Sequence, residues 1–142
     1  MDNISLKALA KINLGLDVVR RRDDGYHEVR MIMQTINLFD RLEIKKIKES
    51  AIKIHTNLFF LPVNENNLVY KAAKLLIDEF GIQEGVSVGL TKKIPVAAGM
   101  AGGSTDAAAM LFGMNRLFGL GLSKKQLMER GVKIGADVPY CI

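Results

Sequence analysis

Pro95-Val96-Ala97-Ala98-Gly99-Met100-Ala101-Gly102-Gly103-Ser104-Thr105-Asp106 joins two segments of different period. Upstream, Val86, Val88 and Leu90 alternate with Ser87, Gly89 and Thr91, which is the period of a half-buried strand. Downstream, Ala107-Ala108-Ala109-Met110-Leu111-Phe112 opens a run of strong helix formers that reaches Leu117 and Phe118. The residues between are small, so backbone N–H groups can turn toward one acceptor without steric hindrance. The first N–H groups of a helix lack internal partners and its dipole favours negative charge at that end, so the stretch reads as a cradle for phosphates. Ser104 and Thr105 add hydroxyl donors. A plainer alternative makes Gly102-Gly103 a tight turn and leaves Ser104 or Thr105 as a simple cap. No Lys followed by Ser or Thr closes the glycines, so this is not a Walker loop, and the glycine spacing does not follow the dinucleotide pattern.

Working outward, Asn66 or Asn67 caps a helix carrying Leu68, Ala72, Leu75, Leu76 and Phe80, with Gly81 just past its end. From Ile4 to Val19, Leu6, Ala8, Ala10, Ile12, Leu14 and Leu16 share one strand face, with a bend expected at Gly15; Lys7, Lys11 and Asn13 take the other face and by themselves fit a solvated surface. Asp23-Asp24-Gly25 is a turn signal followed by Tyr26 and His27, which in isolation suit ordinary packing. Val29–Phe39 and Arg41–Ile47 read as two strands with Asp40-Arg41 as a short connection. A further strand at Ala51–Thr56 makes a hairpin with the second of these, its wet face bearing Lys45, Lys46, Lys48 and Lys53. Ser123 with Gln126 has the form of a capping box and starts a short helix ending at Gly131.

With 142 residues and 49% hydrophobic residues, the chain can bury one moderate core or part of a larger one. Its net charge of +5 suits an anionic partner without choosing among nucleic acid, membrane surface and nucleotide. No apolar run approaches the span of a bilayer, and Met1-Asp2-Asn3 opens without a secretory pattern. The single cysteine, Cys141, excludes an internal disulfide and agrees with a reducing, cytoplasmic setting.

Lys11-Ile12-Asn13-Leu14-Gly15-Leu16, Asp24-Gly25-Tyr26-His27, Pro95 to Ala109 and Gly135-Ala136-Asp137-Val138-Pro139 occur in this order. On these motifs the chain resembles the 4-diphosphocytidyl-2-C-methyl-D-erythritol kinase family, within the GHMP small-molecule kinases that act on galactose, homoserine, mevalonate and phosphomevalonate. The resemblance implies ATP-dependent phosphorylation of a hydroxyl of a cytidine-diphosphate-linked methylerythritol in the non-mevalonate route to isoprenoid precursors, with magnesium arriving on ATP. It implies an α+β fold of two layers, a mostly antiparallel sheet covered by helices as in ribosomal-protein domain 2, with a left-handed β-α-β unit against the usual right-handed rule. It implies that residues 1–142 form the N-terminal, ATP-binding domain of a chain about twice as long, the C-terminal domain being absent.

Carried over by position, the resemblance makes Lys11 and Asp137 the catalytic pair: Asp137 accepts the hydroxyl proton, while Lys11 keeps that carboxylate ionised and steadies developing charge. Asn13, Tyr26, His27 and Asp137 hold the cytidine-bearing substrate. Pro95, Val96, Ala97, Ala98, Gly99, Met100, Ala101, Gly102, Gly103, Ser104 and Thr105 form the phosphate loop, and Asn67 and Lys92 flank the adenine, the lysine by its stem and the amide by the base edge. Thr105 stands where the pattern usually has serine. Asp106, asparagine in some relatives, brings a negative charge that the helix dipole would offset. No protein carboxylate is assigned to the metal. Two rivals stay open: a kinase of the same superfamily with a homoserine, sugar or mevalonate substrate, and an RNA-binding module of the same fold, although low aromatic content speaks against stacking on bases. A small-molecule partner is expected, with neither nucleic acid nor membrane. A lone half of the active site is expected to leave this chain with weak ATP binding and negligible turnover. Val138 to Ile142, lacking a continuation, should leave apolar surface that drives self-association into homo-oligomers.

Overall fold

The computed structural model describes residues 1–21, 27–94 and 102–142, with the side chains of 11–21 and 27–37 left undescribed. Four strands form one sheet in the order β1-β2-β4-β3, where β1 is Asn3–Arg21, β2 His27–Ile47, β3 Ile52–Thr56 and β4 Gly85–Thr91. Helices α1 (Leu68–Phe80), α2 (Gly102–Leu117) and α3 (Lys124–Ile134) and a closing 3-10 turn (Val138–Cys141) complete the described elements. β1 pairs with β2 and β2 with β4 in antiparallel fashion, while β3 lies parallel to β4, so β3-α1-β4 is a β-α-β unit inside a mostly antiparallel sheet. The α+β architecture agrees with the sequence expectation.

Alternation decides which face is covered. Ala8, Leu42, Ile44, Ile54, Val86, Val88 and Leu90 are buried and pack with Val69, Ala72 and Leu76 of α1 and Met110, Leu111 and Met114 of α2. Each fully buried aliphatic side chain of this kind stabilises the fold by about 1.5–3 kcal/mol. Lys7, Arg41, Glu43, Lys45 and Lys53 occupy intervening positions and are exposed.

The expected break at Asp40 does not occur: β2 runs straight through it. Asp40 has the parity of Leu42 and Ile44 and is fully buried, facing Ala8 across the β1–β2 register, so its carboxylate serves the interior and not a turn. The expected hairpin of β2 with β3 is also absent. β4 lies between them, with Ile44 and Ile54 each paired to Val88 from opposite sides. The long β1–β2 ladder shifts register between Leu9 and Lys11, between Asn13 and Gly15, and between Val18 and Arg20, which places an irregularity at the expected bend.

The helix signals behave as their chemistry demands. Asn67 is the N-cap of α1, its side-chain oxygen accepting the Val69 N–H at 2.8 Å, and Gly81 ends the helix in the left-handed region at φ 60°. Ser123 and Gln126 form a reciprocal capping box for α3. That helix continues past Gly131, where a Cβ would stand 3.0 Å from Val138 Cγ1, so the glycine serves close packing against the 3-10 turn. Helix α2 starts at Gly102, earlier than the helix formers from Ala107 alone suggest, because tertiary tethers on Thr105 and Asp106 outweigh the low propensity of the glycines. In the closing turn Val138 and Pro139 are buried, and Cys141 and Ile142 are half-buried against the core, so most of the segment expected to lie uncovered is packed within the chain.

Candidate active site

The β2–β4 register pairs Leu42 with Leu90 and Arg41 with Thr91. One step further along the same ladder brings Asp40 opposite Lys92, two opposite charges on the covered side of the sheet. The Lys92 ammonium donates at 2.6 Å to Asp40 Oδ2 and at 2.6 Å to Asp106 Oδ2, the latter from the fifth residue of α2. Asp40 Oδ1 accepts the backbone N–H groups of Lys93 at 2.7 Å and Ile94 at 2.9 Å. Asn57 engages the Lys92 backbone twice, its oxygen accepting the N–H at 2.8 Å and its amide donating to the carbonyl at 3.1 Å.

Two carboxylates around one ammonium leave an excess negative charge if all ionise, which burial opposes. Asp106 carries the consequence. Burial first and the Asp40 carboxyl second push its pKa up to about 8, against the pull of Lys92. Burial also works to raise Asp40, but hydrogen bonds from Asp106, Lys92 and the Ile94 and Lys93 amides outweigh it and hold that carboxyl below its ordinary value. The Lys92 ammonium is held charged: burial would lower its pKa, and the adjoining carboxyl groups more than reverse this. At neutral pH the cluster is an ionised Asp40, a charged Lys92 and a protonated Asp106. Among the described residues Asp106 Oδ1 is buried with no hydrogen-bond partner.

Gly103, Ser104, Thr105 and Asp106 follow Gly102 in the first turns of α2, with Gly103 exposed and Ser104 half-buried at the helix start. Thr105 turns inward. Its hydroxyl donates to the Leu9 carbonyl at 2.8 Å, so the proton expected for a phosphate is already given to β1. Asp106 likewise differs from the sequence reading, since it is buried against the Lys92 ammonium and burial holds a proton on it instead of leaving a charge for the helix dipole to offset. Asn67 caps α1 with its oxygen and its amide donates to the Pro62 carbonyl at 3.0 Å, which among the described residues leaves one N–H and one lone pair. The Lys92 side chain is only 5% exposed, so it presents almost no stem to a base.

Pro95, Val96, Ala97, Ala98, Gly99, Met100 and Ala101 lie outside the described residues, as does Tyr26. Lys11 and Asn13 sit in β1 opposite Thr35 and Met33, and His27 in β2 opposite Arg21; their side chains lie outside the described set. Asp137 is exposed at the N-cap of the 3-10 turn and makes no side-chain capping bond. The turn it precedes brings Cys141 and Ile142 to a cavity of about 350 Å³ shared with Leu9, Thr105, Ala108 and Phe112, so β1, the start of α2 and the Asp137 segment meet at one edge of the domain.

Asp40 and Asn57 went unread as site residues. Parity offered the signal for Asp40, an acid on the inward positions of a strand, matched by Lys92 on the inward positions of the Val86-Val88-Leu90 series. Nothing local marks Asn57.

A family model described as GHMP kinases N terminal domain matches residues 67–142. Over 142 residues the chain is 61% identical to the 4-diphosphocytidyl-2-C-methyl-D-erythritol kinase of Lachnospira eligens, covering 100% of this chain and 49% of that protein. It is 62% identical to the kinase of the same name from Lachnoclostridium phytofermentans, with the same two coverages of 100% and 49%. A solved 4-(cytidine 5'-diphospho)-2C-methyl-D-erythritol kinase superposes with a TM-score of 0.78 at 36% identity, over 97% of this chain and 48% of that one. The homoserine kinase of Cytophaga hutchinsonii shares the fold, with a TM-score of 0.73 at 20% identity over 94% of this chain and 41% of its own. The chain spans about half the length of the curated relatives it matches. The matched residues take in α1, β4, α2, α3 and the closing turn, more than half of the chain, and the chain accordingly belongs to the GHMP kinase family, carrying its N-terminal domain.

Proposed function

We propose that this chain supplies the nucleotide side and the catalytic pair of a kinase that transfers the terminal phosphoryl group of ATP to a hydroxyl of 4-diphosphocytidyl-2-C-methyl-D-erythritol. The observation that carries the reading is identity of 61% along all 142 residues to a kinase of that name. The structure lends support through the start of α2, a helix N-terminus with small, partly exposed residues and a cluster behind it in which the Asp40 carboxylate is paired with Lys92 and burial pushes the Asp106 pKa up to about 8, so that little net negative charge there opposes phosphates. Pro95 to Ser104 would take the triphosphate, with Asn67 offering its remaining amide N–H and lone pair to the base. The bearing of Lys92 on the nucleotide is indirect, its ammonium being held by Asp40 and Asp106.

Magnesium enters with the nucleotide as part of the substrate. Among the described residues no group of three or more His, Cys, Asp or Glu side chains is arranged to hold a metal ion, and Asp40 and Asp106 are engaged with Lys92. In the transfer step Asp137 takes the proton of the substrate hydroxyl as its oxygen attacks the terminal phosphorus, the bond to the bridging oxygen breaks and ADP leaves. Lys11 steadies the charge that builds on the phosphoryl oxygens as the bond forms. Asn13, Tyr26 and His27 hold the cytidine-linked alcohol. The proposed place of action is the cytoplasm, where a single cysteine stays reduced.

Asp137→Asn is the decisive substitution, because Asp137 is exposed and caps nothing with its side chain. In a protein of the relatives' full length, ADP release with the cytidine-linked alcohol should fall about 10²–10⁴-fold while the KM for ATP changes little. Undiminished turnover would remove Asp137 from the chemistry. Turnover of homoserine or mevalonate in preference to the cytidine-linked alcohol would reassign the substrate.

A further inference from the structure

The segments on either side of residues 95–101 are each held by several hydrogen bonds to distant parts of the chain. On one side, the Lys92 N–H and carbonyl both bond to Asn57, and the Lys93 and Ile94 N–H groups both bond to Asp40. On the other, Thr105 bonds the Leu9 carbonyl of β1 and Asp106 bonds Lys92. Lys92 belongs to both sets, since its ammonium joins the Asp40 side chain to the Asp106 side chain at 2.6 Å each. All three side chains are at most 5% exposed, so none presents an ammonium or carboxylate to a ligand at the surface.

Resting on the kinase reading above, we infer that Asp40, Lys92 and Asp106 are positioning residues for the nucleotide: they lock the end of β4 to the N-terminus of α2, so that the helix start meets a triphosphate already in place. The physical gain is preorganisation. A helix N-terminus that must first be fixed against β4 spends binding energy on ordering, and one fixed in advance does not. An ion cluster suits the task better than apolar packing here because it is directional: Asp40 uses one oxygen for the lysine and the other for two backbone N–H groups, fixing side chain and main chain together. The cluster also predicts which substitution is silent. A protonated Asp106 and an asparagine have nearly the same shape, each with an oxygen to accept from Lys92 and a polar hydrogen to donate, the amide carrying one N–H more.

The test is titration with magnesium-ATP, together with steady-state kinetics, on a parent protein of the relatives' full length and on its Lys92→Met, Asp40→Ala and Asp106→Asn variants. Lys92→Met and Asp40→Ala should each weaken ATP binding tenfold or more, with kcat at saturating ATP and the KM for the alcohol within about threefold of the parent. Asp106→Asn should keep ATP affinity within about twofold. Equal ATP affinity in the parent and both disruptive variants would overturn the clamp while leaving the kinase intact, and so would a large loss in Asp106→Asn, which would mean that its carboxylate meets the ligand. A parent that binds no ATP would sink the kinase reading itself. If the disruptive variants do not fold, amide hydrogen exchange on the parent decides. The Lys93 and Ile94 amides should be protected without nucleotide and change less than about threefold on adding magnesium-ATP. Free exchange that stops only with nucleotide present would show that the end of β4 is not fixed beforehand and would overturn the inference.

Discussion

Position 106 is where a single proton decides the electrostatics of the α2 N-terminus. In the unfolded chain Asp106 titrates near about 3.9, and in the fold its pKa is pushed up to about 8 by burial and by the Asp40 carboxyl. Between those values the folded state holds a proton that the unfolded state has lost, so this group makes stability fall as pH rises from about 4 to about 8, with no further change above. Asp40 acts in the opposite sense, its lowered pKa contributing stability that is lost only as pH falls through the acid range. Asp106→Asn should therefore be more stable than the parent at pH 9, by on the order of 2 kcal/mol, and should flatten the alkaline side of the profile. Urea midpoints from pH 5 to pH 9 check this, and a parent whose stability rises through that range would contradict it. Asp40→Ala leaves a buried lysine and two backbone N–H groups without their acceptor and should cost about 3–5 kcal/mol.

Among the elements, α1 and β4 show how local rules and close packing divide the work. Asn67→Ala removes the cap of α1 and its tie to the Pro62 carbonyl, and should lower stability by about 1–2 kcal/mol by chemical denaturation. Asn67→Asp, which keeps the accepting oxygen, should recover most of that. At the start of β4 a Cβ on Gly85 would run into the backbone carbonyls of Glu49 and Ala51, atoms that cannot swing aside as a side-chain end can. Gly85→Ala should cost at least about 1–3 kcal/mol, and a neutral effect in thermal unfolding would show that the turn before β3 yields. The two caps and the β4 alternation were legible in the sequence because each is a local pattern over a few residues. β2 was misread as two strands because Asp next to Arg scores as a turn, whereas only the partner Lys92, supplied from β4, makes an inward aspartate tolerable. The Thr105–Leu9 bond spans 96 positions and depends on where α2 lies across β1, which no local pattern encodes.

For the whole molecule, the motifs identified the chemistry better than the geometry. The small residues from Pro95 to Asp106 read as a phosphate cradle, yet of its two hydroxyl residues one, Thr105, is committed to β1. Thr105→Val should therefore cost stability, about 1–2 kcal/mol, more than it costs kcat, and Ser104→Ala should do the reverse. Parallel measurement of unfolding midpoints and ADP release separates the two, and equal losses in both assays for both variants would refute the division of roles.

The strand order β1-β2-β4-β3 has a consequence for how the chain reaches this structure. β3 emerges next to β2 in sequence but has no place beside it, because Ile52 must wait for Val86 and Ile44 for Val88. Loop-closure entropy is therefore spent before the central ladder can form, and the sheet has the high contact order of a slow folder. During synthesis the far side of β2 and both sides of β3 would stand as open edges until β4 has left the ribosome, the β1–β2 pair and α1 being the units able to form beforehand from contacts between neighbours in the chain. The interval between α1 and β4 is where a nascent chain of this topology is most exposed to wrong pairing, and where a chaperone that shields strand edges would matter most.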